Sequence, residues 1–199
     1  MLKLQKIAIT GTVSSGKSSV CQFFKELGAF VVNADAIVHE MLQNDASLRE
    51  QIIRLLGPEI LQDGQISRKK IAEKVFKDPK QLKDLEKVLH PAVLKQVESL
   101  YQQAADSGKY TLFVVEMPLL FEIEAESFYD ATVAVIAEDA LARSRFEKAG
   151  FAPGEYDRRM ARQLSPCQKS KHADFTLTNN GSLDDLRRQV IALNQKMKQ

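Results

Sequence analysis

Gly11, Gly16, Lys17 and Ser18 fall at the spacing G-x-x-x-x-G-K-[ST], directly after the apolar run KIAIT and at the start of a helical pattern, SSVCQFFKEL. The chemistry this pattern serves is the cradling of phosphate. Glycines let the backbone curl so that successive N–H groups point at phosphate oxygens, and the helix beginning there adds the positive end of its dipole. Gly11, Ser14, Ser15, Gly16, Lys17, Ser18 and Ser19 are therefore the candidate nucleotide contacts. Lys17 reaches the β- and γ-phosphates, and the Ser18 hydroxyl is the candidate ligand for Mg²⁺. Thr12 and Ser14 occupy variable positions of the pattern, where backbone amides matter more than side chains.

Two acids lie where such a loop needs them. Asp35 closes FVVNAD, read as a second strand, and ligands gather at the carboxyl ends of parallel strands. It fits three roles: proton acceptor for an attacking hydroxyl, Mg²⁺ ligand, or N-cap of the helix AIVHEML. Glu116 ends the apolar run TLFVV, which suits a second acid for metal or substrate and equally a capping or salt-bridged carboxylate. Glu122, after the apolar residues Pro118 to Phe121, is ambiguous. Arg143, Arg145, Lys148, Arg158, Arg159 and Arg162 crowd the stretch 138–172. They would stabilise charge on a transferring phosphoryl group, or simply form a solvated helix face. His39, His90 and His172 show no metal-ligand spacing; His90 before Pro91 reads as a cap at a helix start, with contact to a substrate phosphate as the second reading.

The elements that must position these groups alternate. KIAIT, the loop and SSVCQFFKEL give strand, loop and helix, with Gly28 as the stop and AFVVNAD as the next strand. Residues 36–108 turn to helices rich in Leu, Ile, Lys and Glu, interrupted by LGPEILQDGQIS and by His90-Pro91, where a new helix is expected. Strands return at 111–116 and 131–137, and their nearly continuous apolar character suits burial on both faces of a parallel sheet. The stretch 138–172 is too polar for core and suits a cover over a site. FTLTNNGS gives a last strand and turn, and LDDLRRQVIALNQKM an amphipathic closing helix. The alternation predicts an α/β doubly wound sheet.

Composition narrows the function classes. The 199 residues carry 28 basic and 26 acidic side chains, a formal charge of +2, so no global field invites nucleic acid or a membrane surface. Any anion must be bound locally. No apolar stretch approaches the roughly 20 residues of a membrane span. Cys21 and Cys167 lack disulfide or metal-site spacing, which together with the absent span leads us to expect a cytoplasmic protein with reduced thiols.

Together the segments ITGTVSSGKSSV, FVVNADAIVHEML, LGPEILQDGQISRKKIAEKVFKDP, LEKVLHPAV, FVVEMPLLFE, RRMARQ and KSKHADFTLTNNGSLDDL resemble dephospho-coenzyme A kinase over nearly the whole chain. The resemblance implies a P-loop kinase-like fold with ATP and dephospho-coenzyme A as substrates, Mg²⁺ as cofactor, and phosphorylation of the ribose 3′-hydroxyl, the last step of coenzyme A synthesis. It implies a nucleotide-binding core at 1–35, 109–137 and 173–199, a helical insertion for the coenzyme A precursor at 36–108, and a lid at 138–172. Asp35 matches the family's base, Lys17 and Arg159 are the other catalytic candidates, and Asn179 and Gly181 match the turn near the adenine. Asp35, Arg68, His90, Glu116 and Glu122 are the substrate-binding candidates, with Lys69 and Lys95 added by charge alone. Neither nucleic acid nor membrane is expected as a partner, and the protein is expected to be a monomer or small homo-oligomer. Thr12 and Ser14 replace two glycines of the family loop, Asn33 and Glu116 stand where the family has Asp, and Lys148 stands where a lid arginine is common.

Overall fold

Apolar residues run almost without interruption through KIAIT, LFVVE and ATVAVI because these strands are covered on both faces, which leaves no side of the pleat for polar side chains. In the computed structural model, which describes residues 4–152 and 154–197, they form the centre of a five-stranded sheet. Residues 1–3 and 198–199, at the ends of the expected nucleotide-binding core, and Pro153 of the expected lid lie outside the described residues.

The described chain divides into two compact units, residues 1–33 with 101–199, and residues 34–100. The first holds β1 (Gln5–Gly11), α1 (Lys17–Glu26), β2 (Phe30–Asn33), β5 (Leu112–Glu116), β6 (Ala131–Ile136), α6 (Asp139–Lys148), α7 (Glu155–Met160), α8 (Pro166–His172), β7 (Phe175–Thr178) and α9 (Leu183–Met197). Its strands order as β2-β5-β1-β6-β7, and every pairing is parallel. Ile7 of β1 lies between Val114 of β5 and Ala131 of β6, so the strand that feeds the glycine loop is central. Val20 and Phe24 of α1 and Leu186 and Val190 of α9 pack on the face that carries Ile7, Ile9, Leu112 and Val114. The opposite face carries Phe113, whose ring meets Tyr101 edge-on at 5.4 Å. The α/β doubly wound fold is thus realised.

The second unit holds α2 (Ala34–Asn44), α3 (Ala46–Leu56), a hairpin of β3 (Leu61–Gln62) and β4 (Gln65–Ile66), α4 (Arg68–Val75), and most of α5 (Pro79–Ser107). Leu48, Ile52 and Leu56, Ile60, Ile71 with Val75, and Leu85 of α5 bury one another. Side-chain oxygens of Asp45 and Ser67 cap α3 and α4.

Three local expectations are corrected. The second strand ends at Asn33, not at Asp35, because Asn33 opposite Glu116 is the last residue β2 pairs with β5; Asp35 stands in the first turn of α2, where a carboxylate suits the helix dipole. No helix begins at Pro91, which lies inside the continuous α5. The proline removes one N–H from the ladder, and burial of Leu85, Val93 and Val97 along the helix carries it through. Finally, 138–172 is not too polar for core. Ala142, Phe146 and Tyr156 join Ala137 in a small cluster against which Val13 and Met160 pack. The Arg143 guanidinium braces it, forking the Asp157 carboxylate at 2.6 and 3.1 Å, while Tyr156 donates to Asp139 at 2.9 Å. Burial and that acceptor push the Tyr156 phenol up to about 12.

Candidate active site

β1 ends at Gly11 and α1 starts at Lys17, so the turn between strand and helix is made by residues 12–16. Gly11 has φ 148°, and a Cβ there would lie 2.2 Å from the Val135 carbonyl oxygen of β6. Gly16 has φ 103°, and its Cβ would meet Asn179 Nδ2 at 2.2 Å. Both glycines of the motif are therefore demanded twice, by backbone conformation and by a close neighbour. Lys17 is buried and donates from Nζ to the Thr12 carbonyl at 2.8 Å. Ser14, Gly16, Lys17, Ser18 and Ser19 line a pocket of about 230 Å³ together with Arg145 of α6.

Ser14 takes a left-handed φ of 53°, a conformation that favours glycine. Such a conformation costs a non-glycine residue about 1 kcal/mol, partly offset by the lower entropy of serine in the unfolded chain. Ser14→Gly is expected to raise the thermal midpoint by up to about 4 °C. Scanning calorimetry checks this, and a lowered midpoint would show that the serine side chain outweighs the strain.

Behind the loop, Ser18 Oγ donates to Glu116 Oε1 at 2.9 Å and Asn33 Nδ2 donates to Glu116 Oε2 at 2.9 Å. Asn33 and Glu116 are thus hydrogen-bonded partners. The carboxylate is 6% exposed, so both of its acceptors need donors. Cys21, one turn into α1, has its thiol pushed up by burial and by the nearby Glu116 charge; it is a packing residue.

The turn after β7 meets the loop directly. Asn179 is buried, donates from Nδ2 to the Ser15 carbonyl at 2.9 Å, and accepts at Oδ1 from Arg145 Nη2 at 3.5 Å. Arg145 Nη1 is buried and has no hydrogen-bonding partner among the described residues. Of the charged stretch, this is the cation that borders the phosphate pocket. The sequence does not single it out, since eight lysines and arginines share the segment; the signal is its i, i+3 relation to Ala142, which turns the same helix face inward. Gly181 packs against Asp185, whose carboxylate takes both the N–H and the hydroxyl of Ser182 at the start of α9.

The first unit thereby brings together Gly11, Ser14 to Ser19, Glu116 and Asn179. Arg159 is placed otherwise: it pairs with Glu155 at 2.5 Å and lies over the Phe151 ring at 4.7 Å. Glu122 spends its oxygens on Lys169, at 2.8 and 3.0 Å, and on the Leu164 N–H at 2.7 Å. Asp35, Arg68 and His90 belong to the second unit; Asp35, Arg68, Lys69 and Lys95 are exposed, and half-burial holds the His90 imidazole below its ordinary pKa.

Chains of known family match this sequence and this fold. A family model described as Dephospho-CoA kinase matches residues 5–185. The dephospho-CoA kinase of Protochlamydia amoebophila is 43% identical over 200 residues, covering 100% of this chain and 98% of its own length. Among solved structures, TT1252 from Thermus thermophilus superposes with TM-score 0.82 at 32% identity, covering 98% of each chain. The dephospho-CoA kinase from Campylobacter jejuni has the same fold, with TM-score 0.64 at 23% identity over 98% of each chain. With its phosphate-cradling loop, the acid behind Ser18 and a match that spans nearly its full length, the chain belongs to the dephospho-CoA kinase family.

Proposed function

We propose that the protein transfers the γ-phosphoryl group of ATP to the ribose 3′-hydroxyl of dephospho-coenzyme A, giving ADP and coenzyme A in the last step of coenzyme A synthesis. The observation that carries this reading is the pocket in which Lys17, Ser18 and Arg145 surround loop amides, in a chain of this family. The amides of residues 14–19 hold the nucleotide phosphates, and Lys17 exchanges the Thr12 carbonyl for a phosphate oxygen. An oxygen donor set, the Ser18 hydroxyl backed by the Glu116 carboxylate, fits Mg²⁺, which takes one or two protein oxygens and completes its shell with phosphate and water. Ser18 would hold that ion, which when bound neutralises charge on the phosphate oxygens.

Asp35 accepts the proton of the 3′-hydroxyl as the oxygen attacks phosphorus. Residues 36–108 provide the site for the coenzyme A precursor, with Arg68 and His90 on its diphosphate. Residues 138–172 act as a lid, Arg159 leaving Glu155 for the γ-phosphate as the segment closes and water is excluded. Asn179 and Gly181 flank the adenine. No helix among the described residues is long and apolar enough to cross a membrane, and we place the reaction in the cytoplasm.

The test is an acceptor panel. Purified protein with ATP and Mg²⁺ is expected to release ADP with dephospho-coenzyme A and to form coenzyme A, identified by mass. Nucleosides, nucleoside monophosphates and shikimate should leave ADP release at the background rate. Release stimulated by one of these instead, with no coenzyme A formed, would refute the assignment of acceptor while leaving the phosphate site intact.

A further inference from the structure

Lys169 has no exposed surface, yet it lies outside the phosphate pocket. Its ammonium is spent on three segments. It donates to the Pro118 carbonyl at 2.7 Å, to Glu122 at 2.8 and 3.0 Å, and to Thr10 Oγ1 at 3.3 Å. Thr10, itself fully buried, donates to the same Pro118 carbonyl at 3.1 Å and immediately precedes Gly11. Pro118 lies two residues past Glu116, on the exit from β5. Glu122 also accepts the Leu164 N–H, the last residue before the capping box of Ser165 and Gln168 that starts α8.

One buried cation therefore joins the end of the strand that enters the phosphate loop, the chain leaving the acid behind Ser18, and the junction between residues 138–163 and α8. Burying such a pair gains little stability, because desolvation offsets most of the attraction; burial pulls the Lys169 ammonium down and the Glu122 carboxylate opposes it. What the pair does supply is geometry, since acceptors on three residues at fixed distances admit one arrangement of their segments. The geometry points to Lys169 as a positioning residue for phosphoryl transfer, setting the phosphate loop, the Glu116 exit and the base of the 138–163 segment in register through Thr10, Pro118 and Glu122. This inference rests on the proposed kinase activity for its kinetic readout, and on amide exchange for a readout that does not need it.

The experiment compares the wild type with Glu122→Gln/Lys169→Met, which removes both charges at similar volume, and with Thr10→Val, which removes one acceptor and keeps the shape. Both variants are expected to fold and to bind ATP within about twofold of the wild type, because Lys169 touches no loop amide. The double variant should lose kcat by at least about tenfold with little change in KM for ATP, and Thr10→Val by a smaller factor in the same direction. Exchange of the Leu164 amide should quicken at least about tenfold in the double variant, because its acceptor is no longer held. Wild-type kcat in either folded variant, or unchanged Leu164 exchange in the double variant, overturns the inference. Should the double variant not fold, kcat of Thr10→Val decides alone. A wild type that forms no coenzyme A overturns the proposed function instead, and Leu164 exchange then decides the positioning role.

Discussion

Asp35→Asn is expected to lower kcat for coenzyme A formation by about 10²–10⁴-fold, the range spanned by loss of a general base. Asparagine keeps the size and polarity of the side chain but cannot accept a proton from the 3′-hydroxyl. Because Asp35 is exposed in the first turn of α2, removing its charge weakens the helix by only about 0.5 kcal/mol, through the lost interaction with the dipole. Folding is thus preserved, and the phosphate loop is chemically untouched. The ATP dissociation constant, read by calorimetry, should stay within about twofold, since the change acts on the transition state and not on ground-state binding. A coupled assay for ADP gives kcat. An Asn variant that turns over at the wild-type rate would remove Asp35 from the chemistry.

Gly16→Ala is expected to damage both stability and nucleotide binding. The backbone at φ 103° is strained for alanine, at about 1–3 kcal/mol. The new methyl also strikes Asn179 and displaces its hydrogen bond to the Ser15 carbonyl, worth about 1 kcal/mol. At about 2–4 °C per kcal/mol for a chain of this size, the thermal midpoint should fall by about 5–15 °C. ATP affinity should drop by more than about tenfold because the loop amides are no longer aimed together. Asn179→Ala in the same chain separates the two causes: it abolishes the clash and leaves the strain, so the double variant should recover part of the lost stability. Additivity of the two changes would instead show that alanine is accommodated without touching Asn179.

Local rules explain what could be read from the chain. The strand, glycine loop and helix from Gln5 to Glu26 were legible because the glycines, the lysine and the apolar period all lie within one short segment. The closing helix was legible for the same reason, its inward residues Leu186, Val190 and Leu193 recurring at helical spacing. The β3–β4 hairpin was passed over, although Asp63-Gly64 is a turn pair, because its strands are too short to show alternation. Pro91 misled because local propensity speaks for a helix boundary, whereas burial on both sides of it decides. Long-range contacts were the least visible. Nothing near Asn179 in sequence says that its amide ends on the Ser15 carbonyl 164 residues away, and nothing near Lys169 says that it meets Thr10. Arg145 was hidden by its neighbours, since the inward member of a charge run is chosen by how its helix buries Ala142 and Phe146 and not by its own chemistry.

The Asn33–Glu116 hydrogen bond has an electrostatic meaning beyond the shape it gives the site. Two carboxylates brought to that separation of 2.9 Å would repel by about 6 kcal/mol at an effective dielectric constant of 20. With an amide at position 33 this corner carries one negative charge. A polyanionic nucleotide arriving at Ser18 therefore meets a weaker opposing field than a pair of acids would present.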